Sequence, residues 1–158
     1  MRITYFSNKE SITARNKEYI KNNKAKVRNR LNIYRRKKRA EDPTFKIIDN
    51  LRRRVKQSIK HSKYEKTSST RELVGCSIKD LKLHLEKLWQ PGMSWKNYNY
   101  YGWHIDHKLP VHHFKTKHDF SDPEIQKKCF HYKNLQPMWA KDNFKKSSKL
   151  NYKGGVHV

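Results

Sequence analysis

Apolar residues at helical spacing predict the first packed element of the chain. After Asp42-Pro43 they recur every three or four positions, as on one buried helical face: Phe45, Ile48, Leu51, Val55 and Ile59. Asp42 can cap free amides, and Pro43 suits the first helical turn, where its missing N–H costs nothing. Basic residues cover the rest of this helix, so that one side packs while another can meet phosphate: Arg52, Arg53, Arg54, Lys56 and Lys60.

Two more helices are indicated by their first turns. Ser69-x-x-Glu72 has the capping-box pattern, and Gly75 can close the short helix that follows it. Ser77-x-x-Asp80 opens a longer helix that Pro91-Gly92 ends. The apolar positions of this longer helix are Ile78, Leu81, Leu85, Leu88 and Trp89.

The last third of the chain combines two short strands with helices. Residues 103–105 are prone to form a strand that runs into Asp106-His107, and residues 135–138 form the second predicted strand. Asp122-Pro123 starts a short helix between them, and a final helix is expected over residues 140–149. The predicted fold class is therefore α+β and mainly helical.

The first 42 residues are predicted to form a basic helical arm. Residues 15–40 carry twelve basic side chains and one acidic one, and their apolar stripe is too thin to anchor a core: Ile20, Val27, Leu31 and Tyr34. In the free protein this arm is either helical or a solvated, partly disordered segment, and on DNA it is expected to be a helix. The predicted division is 1–42 for the arm, 43–99 for a helical subdomain and 100–158 for a catalytic region.

The charge of the chain points to a polyanionic partner. The formal net charge is +24 over 158 residues, of which +16 falls in residues 1–66 and +8 in the remainder. Self-repulsion of this size favours nucleic acid as the partner ahead of an anionic membrane surface. No more than three apolar residues are consecutive, which excludes a membrane-spanning helix or signal-peptide core, and two cysteines cannot build a disulfide framework.

The candidate chemistry lies in two segments, GWHIDHKLPVHHF at 102–114 and HYKNLQPMWAKDNFKK at 131–146. The first places Asp106 beside His107, and the second places Asn134 and Asn143 nine residues apart. Adjacent side chains of a regular strand point to opposite faces, so a joint role for Asp106 and His107 needs a strand end or bulge.

These segments resemble the HNH endonucleases, which carry the ββα-metal nuclease motif. The resemblance covers residues 102–146 closely, including the NLQPMW stretch and the upstream GMSW loop. It implies that Asp106 and Asn143 are metal ligands, that His107 is the general base, and that Asn134 is the central structural Asn counted with the catalytic group. Asn143 stands where many members have His, a variant that is common among members with an Asp-His pair.

Physical chemistry agrees with these roles. A carboxylate and an amide oxygen are hard ligands suited to Mg²⁺ or Mn²⁺. An imidazole with the ordinary pKa of about 6.5 is largely neutral at pH 7 and can accept a proton from water. For this, one nitrogen of His107 must face the water while the other is held, for example by a main-chain carbonyl. Asn134 is expected to fix the loop between the strands.

Other polar and aromatic residues have simpler interpretations. His104 is expected to be structural or a substrate contact, and His112 and His113 to pack or contact phosphate. Cys129-x-His131 is a weak zinc signal, because a structural zinc site needs four ligands and Cys76 is distant in sequence. The aromatic cluster at positions 95–103 is interpreted as core around the first strand in preference to a base-stacking platform.

The leading hypothesis is a metal-dependent HNH endonuclease that nicks or cuts double-stranded DNA as a monomer or homodimer. The alternative is a non-catalytic nucleic-acid-binding or architectural protein on the same fold. We expect a cytoplasmic protein of a bacterial or phage-infected cell, or a nuclear one in a eukaryote. The residues predicted to contact DNA are Arg28, Arg30, Arg35, Arg36, Lys37, Lys38, Arg39, Arg52, Arg53, Arg54, Lys141, Lys145, Lys146 and Lys149.

Overall fold

The structure divides into two compact units that meet in sequence between Asp42 and Pro43. This computed structural model describes residues 2–60 and 64–152, and side chains from residue 8 onward. The outermost parts of the predicted arm and catalytic region, residue 1 and residues 153–158, lie outside the described residues. Residues from 43 onward belong to one unit, so the predicted boundary between 99 and 100 does not separate two packed bodies.

The first unit consists of two helices, α1 (Arg2–Asn22) and α2 (Lys24–Glu41). None of the residues of α2 is buried. Ile20 and Leu31 of the predicted apolar stripe are about half exposed, at 50% and 46%. The described side chains of this unit, from residue 8 to residue 41, therefore form no buried core of their own.

The second unit begins with three helices, whose starts agree with the sequence signals. They are α3 (Pro43–Lys60), α4 (Thr70–Val74) and α5 (Ile78–Lys87). Ser69 and Glu72 form a reciprocal capping box, and Gly75 closes α4 with a left-handed φ of 73°. The Ser77 hydroxyl accepts from the backbone N–H of Asp80 at the start of α5.

The remaining elements are two strands and three helices. In chain order they are β1 (Trp103–His107), α6 (Val111–Lys117), α7 (Pro123–Phe130), β2 (Leu135–Trp139) and α8 (Ala140–Lys146). Single 3-10 turns lie at Trp95–Asn97 and Tyr132–Asn134. The two strands pair antiparallel, which confirms the predicted mainly helical α+β fold.

Two buried clusters hold this unit together, and α3 contributes to both. The first surrounds Trp103 and joins α3 and α5 to both strands, with Leu81, Leu85 and Ile105 fully or almost fully buried. The second lies between the end of α3 and helices α4, α6 and α7. Its residues are Val55, Ile59, Leu73, Phe114, Phe120, Cys129 and Phe130.

Three details differ from the sequence expectations. Helix α6 carries His112 and His113 and was not predicted, because Pro110 before it resembles a loop signal. Helix α5 ends at Lys87, before Pro91. Helix α8 ends at Lys146 instead of near residue 149, because Ser147 adopts a positive φ of 48°.

None of the described helices is both long enough and apolar enough to cross a membrane.

Candidate functional site

β1 and α8 face each other across a small group of polar side chains. His104 and Asp106 lie two residues apart in a regular strand, so they share one face. Helix α8 follows β2 directly and covers this face, with Asn143 against His104 and Lys146 against Asp106. Gln136, opposite Asp106 on β2, completes the group by donating to the carboxylate at 3.1 Å.

Asp106 is paired with a buried lysine. The Lys146 ammonium lies 2.5 Å from Asp106 Oδ2, and the two side chains are 3% and 8% exposed. The same ammonium donates to the main-chain carbonyls of His107 and Lys108. Because Gln136 also donates to Oδ2, Oδ1 of Asp106 receives no hydrogen bond from the described residues.

His104 and Asn143 form a second contact beside this ion pair. Nε2 of His104 lies 3.1 Å from the Tyr100 carbonyl, and Nδ1 lies 2.9 Å from Nδ2 of Asn143. A carbonyl can only accept, so Nε2 carries the proton and Nδ1 accepts from the Asn143 amide. Oδ1 of Asn143 consequently remains without a hydrogen bond in the described part of the chain. Burial lowers the pKa of His104, which favours this neutral form.

His107 is sealed inside the protein. It is the last residue of β1, it is 5% exposed, and its ring packs edge-on against Phe130 of α7 with centroids 5.8 Å apart. Burial, followed by the nearby positive charges of Arg54 and Lys146, lowers its pKa to about 3. Its buried Nε2 makes no hydrogen bond with any described residue, so the carbonyl contact expected to hold one ring nitrogen is not formed at Nε2.

The loop after β1 is fixed by Asn134. Its side chain accepts from the backbone N–H of Leu109 at 2.9 Å and donates to the carbonyls of Leu109 and Cys129 at 3.1 and 2.8 Å. The backbone N–H of Lys108 donates to the Asn134 carbonyl at 2.7 Å. Asn134 therefore ties the loop after β1 to the end of α7, and its side chain forms no hydrogen bond with the other candidate residues that the structure describes.

Two residues predicted to contact DNA belong to this interior. The prediction for Lys146 is wrong, because its ammonium is buried and neutralises Asp106. The prediction for Arg54 needs correction, because its half-buried guanidinium donates to the Ile105 carbonyl instead of lying on the open side of α3. Burial lowers the pKa of Arg54, and the negative charge of Asp106 opposes this.

The other predicted DNA contacts lie on the surface or near it. Lys38 and Arg39 are partly buried, and the rest are exposed: Arg28, Arg30, Arg35, Arg36, Lys37, Arg52, Arg53, Lys141, Lys145 and Lys149. Arg52 also lines an open cleft of about 600 Å³ between α3 and α4. The other basic residues of the cleft are Lys56, Lys60, Lys66 and Arg71. Arg52, Lys56 and Lys60 repeat at intervals of four, a spacing that reveals this basic face from the sequence.

The available oxygens fit a hard divalent cation in part. Asp106 and Asn143 each have one oxygen that accepts no hydrogen bond from the described residues, and a carboxylate with an amide is a donor set that Mg²⁺ accepts. The Lys146 ammonium competes with a metal ion for Asp106, because it already supplies positive charge to the carboxylate. The described residues contain no group of three or more His, Cys, Asp or Glu side chains suited to a metal.

The two cysteines belong to the buried clusters and not to the polar group between β1 and α8. Cys129 is fully buried in the second cluster, where burial raises the pKa of its thiol to about 12. His131 stacks on Tyr132 with ring centroids 4.6 Å apart. Cys76 packs against the first cluster instead.

Sequence comparison identifies two similar proteins, both described as uncharacterised proteins of Acanthamoeba polyphaga mimivirus. One is 29% identical over 130 residues, which cover 82% of this chain and 54% of the relative. The other is 31% identical over 111 residues, which cover 70% of this chain and 46% of the relative. The chain thus spans about half the length of the curated relatives it matches. No known family profile and no solved structure matches it.

Proposed function

We propose that this protein is a metal-dependent endonuclease of the HNH type that hydrolyses DNA phosphodiester bonds. The observation that carries the proposal is the placement of four residues in one strand-strand-helix unit. Asp106 and His107 end β1, Asn134 precedes β2, and Asn143 lies on α8, which follows β2 directly. A net charge of +24 supports a polyanionic substrate.

Asp106 and Asn143 would hold the metal through their unpartnered oxygens. When bound, a divalent ion supplies charge neutralisation at the phosphoryl oxygens and assists the leaving 3′ oxygen. Gln136 orients the carboxylate through Oδ2, and His104 orients the amide by accepting from its nitrogen. This arrangement directs Nδ2 of Asn143 to His104 and leaves Oδ1 for the ion.

His107 would accept the proton of the attacking water. Burial lowers its pKa to about 3, so the ring is neutral at pH 7, and no described residue forms a hydrogen bond with Nε2. Because His107 is buried against Phe130, this role requires the ring to move towards the attacking water. The negative charge of a bound phosphate raises the pKa of His107 and so strengthens it as a base.

The second candidate function is nucleic-acid binding without cleavage, and the Lys146–Asp106 ion pair favours it. An ammonium already occupies one carboxylate oxygen and two main-chain carbonyls, so a cation gains less there than at an unpaired carboxylate. In this function the polar group would stabilise the fold, and the exposed basic residues would account for all binding to DNA.

An experiment on Asp106 distinguishes the two functions. We would measure nicking of supercoiled plasmid with Mg²⁺ or Mn²⁺, and DNA binding by fluorescence anisotropy with EDTA, for the wild type and Asp106→Asn. If the protein is an endonuclease, Asp106→Asn loses nicking but binds DNA within about twofold of the wild-type affinity, because the amide retains the size of the side chain. Absence of metal-dependent nicking in wild-type protein that binds DNA supports the second function.

A matched control comes from Asp142, which is also buried on this unit but lies outside the candidate group. Asp142→Asn should keep nicking if it folds, as judged by circular dichroism and thermal melting. Asp106→Asn leaves the buried Lys146 ammonium without its counter-charge, so a lowered melting temperature is expected under either function. Nicking equal to that of the wild type by Asp106→Asn protein that is folded at the assay temperature would assign Asp106 a purely structural role.

A further inference from the structure

Three aromatic side chains beside the candidate site remain on the surface. Tyr100 is 66% exposed, Tyr101 is 89% exposed and Phe144 is 55% exposed. Their exposure distinguishes them from Tyr98 and Trp103 of the same stretch, which are buried in the first cluster. The interpretation of positions 95–103 as core therefore fails for Tyr100 and Tyr101.

The exposed rings touch one another and form a continuous surface. The ring centroids of Tyr100 and Tyr101 are 5.1 Å apart, and those of Tyr100 and Phe144 are 5.6 Å apart. Phe144 also packs edge-on against His104 at 5.4 Å. We name Tyr100, Tyr101 and Phe144 the aromatic platform.

The loop that carries this platform has a defined conformation. Oδ1 of Asn99 accepts from the backbone N–H groups of Tyr101 and Gly102, both at 3.0 Å. A Cβ at Gly102 would lie 1.8 Å from the Asn97 carbonyl oxygen, so only glycine fits there. The Tyr100 carbonyl accepts from His104, which ties the loop to β1.

The platform adjoins the candidate metal ligands. Phe144 is next to Asn143 on α8, and His104 contacts both residues. Exposed Lys141 and Lys145 lie on the same short helix, within one turn of Phe144. Apolar rings bordered by lysines match a ligand with flat apolar faces joined by phosphates.

We propose that the aromatic platform binds an unpaired base of the nucleic-acid strand whose phosphate lies at the Asp106 site. In an intact duplex the base faces are covered by neighbouring bases, and exposed rings find no partner there. The substrate class is therefore a nucleic acid with unpaired nucleotides next to the scissile bond, such as a single strand, a flap or a bulge. This inference rests on the proposed nuclease function and narrows its substrate from plain duplex DNA.

Binding measured with EDTA tests the platform separately from cleavage. The probes are a labelled single-stranded oligonucleotide and the duplex of the same sequence. The proteins are the wild-type chain of 158 residues and its variants Tyr101→Ala, Tyr101→Phe and Phe144→Ala. Loss of one stacking ring should weaken single-strand binding by roughly tenfold and leave duplex binding within about twofold. Tyr101→Phe keeps its ring and should bind like the wild type. Leu83→Ala removes another exposed apolar side chain, on α5, at 47% exposure against 55% for Phe144, and serves as the control.

Stacking itself is followed with 2-aminopurine placed at each position of the single strand. Binding of the wild-type protein should change the fluorescence of 2-aminopurine at one or two adjacent positions of the strand, and Phe144→Ala should abolish this change. Equal losses on single strand and duplex, or no loss on either, would overturn the proposal. So would platform variants that lose binding to vesicles of phosphatidylcholine and phosphatidylserine while keeping single-strand binding.

The failure of this inference is distinguishable from failure of the nuclease function. If the platform variants bind single strands normally but the wild type nicks plasmid with Mg²⁺ in an Asp106-dependent manner, only the platform is refuted. If the wild type cleaves neither supercoiled plasmid nor a flap or single-stranded substrate with Mg²⁺, but single-strand binding depends on the rings, the nuclease function alone is refuted.

Discussion

Replacing Lys146 with methionine should destabilise the protein strongly, although a lysine near the end of a short surface helix is ordinarily dispensable. The substitution keeps the length of the side chain and removes the charge that neutralises Asp106, whose side chain is 8% exposed. It also removes the donor to the carbonyls of His107 and Lys108. Breaking a buried ion pair by removing one partner costs about 3–5 kcal/mol.

This loss is a large fraction of the free energy of unfolding of a domain, which is about 5–15 kcal/mol. At roughly 4 °C per kcal/mol it lowers the melting temperature by about 12–20 °C. Urea unfolding followed by circular dichroism gives the free energy, and Lys145→Met on the exposed side of α8 is the matched control, with an expected change within about 0.5 kcal/mol. Removing both charges, with Asp106→Asn added to Lys146→Met, should cost less than the sum of the single changes by about 1–3 kcal/mol. A Lys146→Met protein as stable as Lys145→Met would refute the buried ion pair.

Three further predictions follow from the described contacts. Asn134→Ala removes three side-chain hydrogen bonds and should lower the free energy of unfolding by about 3 kcal/mol in urea titrations, whereas a change below about 1 kcal/mol would contradict its loop-holding role. The pKa of His107 is about 3 in the folded protein and about 6.5 in the unfolded chain. As the pH falls below about 6.5, the unfolded chain therefore binds a proton at His107 that the folded protein does not, and stability is lost down to about pH 3. Relative to His107→Phe, the wild type should lose about 2 kcal/mol between pH 7.5 and 5, and parallel curves would show that His107 titrates normally. Replacing exposed Arg35, Arg36 and Lys37 with glutamine should reduce the log-log salt slope of duplex binding by up to about 2.7, and an unchanged slope would exclude the arm from the DNA interface.

Local signals in the sequence were sufficient for much of the fold. The Ser69–Glu72 capping box, Gly75 and Pro123 fix helix ends through contacts within a few residues, and the structure places helix ends at these positions. Helix α6 was missed because its short sequence lacks a start signal, and contacts distant in sequence hold it in place. Phe114 packs into the second cluster, and the Lys115 ammonium donates to the Ser58 carbonyl of α3.

The candidate site could be predicted only in part, because its contacts join residues distant in sequence. Lys146 has the composition of a surface lysine, and nothing local indicates that it pairs with Asp106 forty residues earlier. The same holds for Arg54, whose guanidinium reaches the Ile105 carbonyl from α3. In the aromatic stretch, Tyr98 and Tyr100 are the same residue type two positions apart, and only the path of the loop buries one and exposes the other.

The most direct test of the proposed hydrolysis is a plasmid nicking assay that compares the wild type with His107→Ala at equal DNA occupancy. His112→Ala serves as the control, since His112 is exposed on α6. With Mg²⁺, the wild type and His112→Ala should convert supercoiled plasmid to nicked circles, and His107→Ala should lose at least about a hundredfold in rate, the lower bound for a general base. Equal nicking by the wild type and a folded His107→Ala protein would contradict catalysis at this site.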